Sequence, residues 1–352
     1  MDDASSVRRI KTKFPGISSK AWEHPADRAA LTAVRKVPGL DTLLQKLIGI
    51  TTERSLRLIT LASAVRVSTN QFPRLNRLHR EACDLLDMQE VPELYVSQSP
   101  FLNAGAIGVE KPFIVLNSSI VDGMTDDEIL AIVGHELGHC MSGHVLYKTL
   151  LQLLIKFSVA AFSVPLGGAS ILAVIIALKE WDRKSELSAD RAGLLVVQDP
   201  QVYYNVLMKL AGGPRTSEMD INEFFLQAAD YEGSPSVLDS MHKLLNLVGQ
   251  SHPFPVLRLT ELKTWVDSGA YARILTGDYL GRDNDSKDDT MNNFREAARN
   301  YREDFNNSRD PLADTLRNAM ETADSVRAKA KEAFNSFFNG GGNPSNGNDD
   351  SK

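Results

Sequence analysis

The sequence predicts an α+β protein that is mainly helical, with one small antiparallel sheet among the helices. Apolar residues recur three and four positions apart along most of the chain, which is the spacing of one helix face. Short runs of β-forming residues occur close together in "ELYVSQ", residues 93–98, and "KPFIVLNSS", residues 111–119. Of the 352 residues, 43% are hydrophobic, so the chain is able to bury a sizeable core.

Three regions are predicted along the chain. Residues 1–84 form an N-terminal helical region, because "ADRAALTAVRKV", "LDTLLQKLIGI" and "FPRLNRLHREACDLLD" all show the helical spacing. Residues 85–275 form the central domain. Residues 276–352 comprise a linker, an amphipathic helix over 311–338 and a disordered tail, since "NGGGNPSNGNDDSK" has no large apolar residue to bury.

Charge and cysteine content limit the function classes. The chain has 39 basic and 45 acidic residues, a net charge of −6, which argues against a nucleic-acid partner. Its two cysteines, Cys83 and Cys140, are too few for a disulfide framework and fit a reducing compartment. The start, "MDDASSVRRIKTKF", lacks the apolar core of a secretory signal. The expected location is the cytoplasm, with membrane contact at most peripheral or through residues 150–178.

The segment "IVGHELGHCMSGH", residues 132–144, holds three of the seven histidines. Thr125 and Glu128 predict a capping box, so that a helix begins near residue 126 and carries this segment. His135 and His139, four residues apart, then lie on one helix face, where their imidazoles can converge on one zinc ion. Glu136 lies beside them and is predicted to act as the general base towards a water at the metal.

A catalytic zinc site needs a third protein ligand. His144 is excluded, because it lacks the spacing and the turn glycine of a metzincin third histidine. Glu186, in the downstream helix "SELSADRAG", is the better candidate, and Asp190 is predicted to accept a hydrogen bond from a ligating histidine. H-E-x-x-H also occurs by chance on solvated helix faces, but the capped helix and the downstream helix favour a zinc hydrolase.

Four motifs together resemble a known family. "HELGH", "SELSADRAG", "SPFLNAGAIG" and "SHPFPVLRLTEL" occur in this order within residues 85–275. In type and order they resemble the HtpX-like and CaaX-prenyl-protease group of gluzincin metallopeptidases. The resemblance implies a zincin-like catalytic domain over residues 85–275, with an active-site HExxH helix and a second zinc-ligand helix. It also implies zinc-dependent endopeptidase activity on protein or peptide substrates, with one Zn²⁺ per chain.

The resemblance also implies a role for each matching residue. The zinc ligands would be His135, His139 and Glu186, with Glu136 as the general base and Asp190 as the hydrogen-bond partner of a ligand. The resemblance places His252 and Arg258 in the substrate cleft, where His252 would stabilise the developing oxyanion. Asn103 to Ala106 would form an edge strand that pairs with the substrate backbone, so that Asn103 and Ala104 bind substrate.

Two departures from the family pattern qualify this expectation. Gly105 stands where the family usually has an aromatic residue, which alters a substrate subsite. The membrane relatives carry clear spanning helices before the zinc helix, whereas the best candidate here is interrupted by Glu53, Arg54 and Arg57. The chain therefore resembles a branch without clear N-terminal transmembrane helices.

The most apolar segment, residues 150–178, contains an uncharged run of 22 residues, 157–178. It lies between His139 and Glu186, which must meet at one metal ion, so a single membrane crossing would separate the ligands. Two crossings need about 40 residues, more than the segment has. Pro165 and the glycines that follow it in the chain predict a turn, and hence a helical hairpin. We expect the hairpin to be buried; the alternative is a shallow dip into one leaflet.

Two other function classes are compatible with parts of the sequence. One is a non-catalytic, chaperone-like scaffold that binds metal, against which the intact Glu136 argues, because a scaffold needs only the ligands. The other is a membrane-associated or structural protein built around residues 150–178. Digestion of casein with and without a chelator separates these classes from a peptidase.

Overall fold

The structure of the protein is a computed structural model. It describes residues 10–37, 39–41, 43–45, 53–156, 168–233 and 254–284. The predicted helix over 311–338 and the predicted C-terminal tail lie outside the described residues.

The described part is mainly helical, as predicted. Eleven α-helices are labelled in chain order: α1 (Pro25–Val34), α2 (Glu53–Ser63), α3 (Pro73–Leu85), α4 (Ser118–Gly123), α5 (Asp126–Met141), α6 (Val145–Lys156), α7 (Gly168–Val197), α8 (Pro200–Gly212), α9 (Ile221–Gly233), α10 (Pro255–Asp267) and α11 (Ala270–Leu275). The four strands are β1 (Val65–Arg66), β2 (Leu94–Ser97), β3 (Ala104–Ile107) and β4 (Phe113–Asn117). These elements confirm the predicted α+β class.

The four strands form one sheet in the order β1-β2-β4-β3. It is mixed rather than wholly antiparallel, because β2 and β4 pair in parallel while β1 with β2 and β3 with β4 pair antiparallel. The connection over residues 98–103 leads from β2 across the position of β4, so that among the described strands β3 pairs with β4 alone and is an edge strand. The predicted edge segment Asn103 to Ala106 thus overlaps an observed edge strand.

Helix α5 lies in the centre of the larger core. Its residues Ile129 to Leu137 are buried beside residues of β2, β4, α3, α7 and α8. Phe14, Ile17 and Trp22, from the segment before α1, belong to the same core. The N-terminal segment is therefore packed onto the part of the chain that carries the motifs, while the predicted division at residues 84 and 275 stays a prediction.

A second core cluster joins α1 to the arms of the predicted hairpin. It contains Ala30 and Val34 from α1, Leu150 from α6, and Val174 and Trp181 from α7, together with their buried neighbours. Residues 157–167, which include the predicted turn, lie outside the described residues. In the described ranges, no helix combines the length and the apolarity that crossing a membrane requires.

Helices α5 and α7 approach each other closely because glycines line their contact. A Cβ atom at Gly134 would lie 2.7 Å from the Cβ of Val196, and one at Gly193 would lie 2.7 Å from the carbonyl oxygen of Ala131. Real Cβ atoms do not approach other atoms this closely. The small residues within the two motifs are therefore required by packing, and they bring Glu186 on α7 to the histidines on α5.

Candidate metal centre

Helix α5 begins where the sequence predicts. Thr125 is its N-cap, the Thr125 hydroxyl accepts from the Glu128 backbone N–H, and the Glu128 carboxylate accepts from the Thr125 N–H. Lys209 on α8 also donates to Glu128, at 2.8 Å. This start sets the helical phase that places His135 and His139 on the face towards α7, and both imidazoles are buried.

Glu186 on α7 faces both histidines. Its carboxylate oxygens lie 3.4 Å from His135 Nε2 and 3.2 Å from His139 Nε2. One donor atom from each of the three residues lies within 4.8 Å of the others, and all three residues are buried. Within the described ranges, this is the one cluster of histidine, cysteine and carboxylate side chains with the arrangement of a metal site.

Asp190 lies behind His135. Its Oδ1 is 3.1 Å from His135 Nδ1 and accepts a hydrogen bond from Tyr203, while Arg258 donates to both carboxylate oxygens. Burial raises the pKa of Asp190, but the charge and hydrogen bonds of Arg258 and His135 outweigh this and lower it to about 2. Asp190 is therefore ionised and is placed to fix the proton of His135 on Nδ1.

The Nδ1 atom of His139 faces His144. The two Nδ1 atoms are 3.0 Å apart, and His144 Nε2 is 3.0 Å from Oδ2 of Asp27 on α1. Burial and the charge of Lys148 hold the pKa of His139 well below its usual value. His144 is not a member of the metal cluster, in agreement with its exclusion as a ligand.

Two buried cations orient Glu186. Lys148 on α6 donates to Glu186 at 2.7 Å and to Asp182 at 2.6 Å, and Arg258 Nη1 lies 3.2 Å from the other Glu186 oxygen. A buried carboxylate is stable only when it is paired, and these two cations provide the pairing for Glu186. The nearby carboxylates in turn raise the pKa of Lys148 despite its burial.

Glu136 faces a small pocket beside the metal cluster. The pocket is lined by Ala104, Ile120, Ile132, His135, Glu136, Tyr203, Val206, Leu210 and Arg258. The lining joins a carboxylate, an imidazole, a phenol and a guanidinium to a wall of five apolar residues. Ala104 on the edge strand β3 is part of this wall, so the predicted edge strand and the predicted base lie at one site.

Most of the site residues predicted from the sequence come together here. Arg258 is only 3% exposed, is held by Asp190 and Glu186, and belongs to the lining of the pocket. His252 lies outside the described residues. Asn103 directly precedes β3, and its carbonyl accepts from the Asn117 N–H.

Three residues of the site were missed by sequence reasoning. Lys148 had a signal, since it is the one charged residue within "VLYKTLLQLLI", and a charge on an apolar helix face predicts a buried pair. Tyr203 and Asp27 had none, because their contacts with His135, Asp190 and His144 join residues that are distant in sequence.

The donor set fits zinc. Two imidazole nitrogens and one carboxylate are a known catalytic set, which leaves a further coordination position for a reactant. Each histidine has its Nδ1 engaged and its Nε2 turned to Glu186, which is the arrangement that hydrogen-bond partners impose on zinc-ligating histidines. His135, His139 and Glu186 are thus the residues that would hold the ion.

Comparison with known proteins agrees with this geometry. Residues 69–266 match the model of Peptidase family M48. The chain is 36% identical, over 74% of its length and 77% of the relative's, to the "Plastoglobule-localized metallopeptidase 48, chloroplastic" of Arabidopsis thaliana. It is 24% identical to "Protease HtpX homolog 2" of Methanosarcina acetivorans, over 42% of this chain and 58% of that protein. It is 38% identical to "Protease HtpX" of Shewanella loihica over 18% of this chain and 23% of that protein.

The chain spans less than two thirds of these two HtpX relatives. No solved structure matches it. The M48 model nevertheless covers more than half of the chain, and it includes both helices of the His135, His139 and Glu186 cluster. The chain therefore belongs to Peptidase family M48 and is a zinc metalloendopeptidase.

Proposed function

We propose that His135, His139 and Glu186 hold the catalytic zinc ion and that Glu136 is the general base in the hydrolysis of a peptide bond. The observation that carries this proposal is the convergence of the three donors within 4.8 Å beside a buried Glu136. A bound zinc ion supplies Lewis-acid activation of water and of the peptide carbonyl. Glu136 takes the proton from the attacking water and delivers it to the leaving amine.

The substrate is proposed to bind as an extended strand along β3. Because β3 is an edge strand, a peptide can extend the sheet beside it through backbone hydrogen bonds. Ala104 begins this edge and Asn103 directly precedes it, and Ala104 also lines the pocket at Glu136. A peptide held there has a backbone carbonyl within reach of the metal cluster, whatever its side chains are.

The pocket wall supports a preference for an apolar substrate side chain. Ile120, Ile132, Val206 and Leu210 offer methyl groups and no hydrogen-bonding group to the space beside Glu136. An apolar side chain buried against these four residues gains about 25 cal/mol per Å² of buried surface, whereas a charged one loses hydration against methyl groups that offer it no partner. Leu210→Ala should therefore alter which peptides are cut, without altering zinc content.

Arg258 and His252 are proposed to act differently from each other. Arg258 holds Asp190 and Glu186 in place, and through them the ligand set. His252 is proposed to stabilise the developing oxyanion, a role that the resemblance alone supports. His252→Gln should lower kcat more than it raises KM, because the interaction strengthens in the transition state.

Digestion of casein tests the proposed function. The purified chain should cut casein, a chelator of zinc should abolish the cutting, and added zinc should restore it. Proteolysis that continues in excess chelator, after removal of the metal has been verified by elemental analysis, would contradict the proposal.

The protein is proposed to attach to a lipid surface without crossing it. Leu58, Ile59 and Leu61 on α2 are between 47% and 67% exposed, and the relative with 36% identity is named as plastoglobule-localized. Alkaline carbonate should release the protein from isolated membranes and lipid particles. A requirement for detergent would instead indicate an integral anchor.

A further inference from the structure

A chain of three buried groups joins the N-terminal helix α1 to the metal cluster. Asp27 Oδ2 lies 3.0 Å from His144 Nε2, and His144 Nδ1 lies 3.0 Å from His139 Nδ1. Asp27, His144 and His139 are 1%, 1% and 0% exposed. The three side chains thus form a line of contacts that ends on a proposed zinc ligand and begins 112 positions earlier, at a residue in no recognised motif.

The hydrogen-bond roles in this line follow from the ligand. His139 can bind a metal through Nε2 only if its proton is on Nδ1, so His144 Nδ1 must accept that proton's hydrogen bond. Because His144 Nδ1 accepts, the proton of the His144 ring is on Nε2, which lies beside the Asp27 carboxylate. His139 thus donates to His144, and His144 donates to the Asp27 carboxylate.

Asp27 is itself held firmly. Trp181 Nε1 donates to Oδ1 at 2.9 Å, and the Ser188 hydroxyl donates to Oδ2 at 2.6 Å. The Ser188 oxygen in turn accepts from the backbone N–H of His24, which is the N-cap of α1. Both partners belong to α7, the helix that carries Glu186, so the position of Asp27 is fixed relative to the metal cluster.

We propose that Asp27 is a positioning residue of the metal centre, which acts through His144 to fix the tautomer and orientation of His139. His135 has the equivalent support directly, from Asp190 at 3.1 Å. Each histidine ligand therefore has its own carboxylate, one in direct contact and one through an intervening imidazole. Asp27 precedes the part of the chain that matches the family model, so α1 completes a site whose other groups lie within that part.

The expected effect is on zinc affinity. The proposal rests on His139 being a zinc ligand, as proposed above. His144→Ala removes the acceptor of the His139 Nδ1 proton and should weaken zinc binding by about 10- to 100-fold, the usual effect of losing such a partner. Asp27→Asn keeps the size of the side chain but not its charge, and it should weaken binding by roughly tenfold.

A double-mutant cycle on the full chain tests the path of action. Zinc dissociation constants are measured by competition with a chromogenic chelator for wild type, Asp27→Asn, His144→Ala and the double variant. If Asp27 acts through His144, Asp27→Asn has no further effect in the His144→Ala background. Effects that multiply in the double variant would overturn the proposal, because independent damage to the fold behaves in that way.

Two controls separate positioning from packing. Ser188→Ala removes one bond to Asp27 but leaves Trp181 to hold the carboxylate and leaves Asp27 in contact with His144, so it should weaken zinc binding less than Asp27→Asn does. With cobalt(II) in place of zinc, Asp27→Asn and His144→Ala should shift the visible absorption spectrum in the same way, whereas Ser188→Ala should shift it less. A Ser188→Ala variant as impaired as Asp27→Asn would overturn the proposal.

If Asp27→Asn does not fold, His144→Leu decides, since leucine cannot accept the His139 Nδ1 proton and Asp27 keeps its bonds to Trp181 and Ser188. A zinc dissociation constant equal to that of wild type in folded His144→Leu would overturn the proposal. The failure of the proposed function looks different: wild type itself would then bind no zinc, or would keep binding it after His139→Ala.

Discussion

Gly138 of α5 faces Ala192 of α7 so closely that a Cβ atom at residue 138 would lie 2.6 Å from the Ala192 Cβ. This contact sets the distance between the helix that carries His135 and His139 and the helix that carries Glu186. We therefore expect Gly138→Ala to separate the helices, to lower the free energy of unfolding by roughly 1–3 kcal/mol as overpacking does, and to weaken zinc binding.

Denaturant unfolding and chelator competition measure the two effects of Gly138→Ala. Gly105→Ala is the matched control, because a Cβ atom at Gly105 meets nothing within 4 Å. The control should be close to wild type in stability. Equal free energies of unfolding for wild type and Gly138→Ala would show that the two helices accommodate a Cβ atom at residue 138 without strain.

Glu186→Ala should abolish stoichiometric zinc binding, since it removes one of three proposed ligands. Asp182 provides the control, because it lies one turn earlier on α7 and pairs with the same Lys148 at 2.6 Å. Asp182→Asn should keep about one zinc per chain by elemental analysis after dialysis. Retention of a full zinc equivalent by folded Glu186→Ala would mean that the third ligand is another residue.

Asp190→Asn should weaken zinc binding by about 10- to 100-fold, as loss of a carboxylate behind a ligating histidine usually does. Tyr203→Phe removes the other contact with His135 Nδ1, at 3.2 Å, but leaves the charge in place, so its effect should be smaller. Chelator competition gives both constants. A larger effect of Tyr203→Phe than of Asp190→Asn would show that the Tyr203 hydroxyl, rather than the Asp190 carboxylate, orients the His135 imidazole.

Much of this site was predictable because its signals are local. The phase of α5 follows from Thr125 and Glu128 within one turn, and the i, i+4 spacing of His135 and His139 then fixes their common face. The spacing of Glu186 and Asp190 acts in the same way on α7. Such relationships depend on helix geometry alone, so they can be predicted from the sequence without knowledge of the fold.

The rest of the site depends on tertiary contacts that no local pattern encodes. Asp27 reaches His144 because α1 packs against α6 and α7, and Arg258 reaches Asp190 because α10 packs against α7. The parallel pairing of β2 with β4 depends on where the chain passes between them. These contacts join segments that are distant in sequence, and burial of the whole core selects them.

The stability of the protein should depend on pH through His79. Burial lowers the pKa of His79 to about 4, from an ordinary value near 6.5, and the ring is 4% exposed. Between pH 6.5 and 4 the unfolded chain binds a proton at this residue that the folded chain does not. Stability should therefore be complete above pH 6.5 and fall as the pH approaches 4, by up to about 3 kcal/mol from this residue.

His79→Leu should remove this part of the acid sensitivity, because leucine does not titrate. The difference in unfolding free energy between wild type and the variant, measured by denaturant from pH 7 to 4, isolates the contribution of His79. A difference that stays constant over this range would show that His79 does not contribute to the loss of protein stability on acidification.

Measurement of zinc content and peptidase activity on the same preparation of Glu136→Gln tests the central claim most directly. The substitution leaves His135, His139 and Glu186 unchanged and removes only the proposed base. We expect about one zinc per chain and almost no cleavage of casein, at a protein concentration where wild type digests it fully. Substantial chelator-sensitive cleavage by zinc-loaded Glu136→Gln would contradict the assignment of Glu136 as the base.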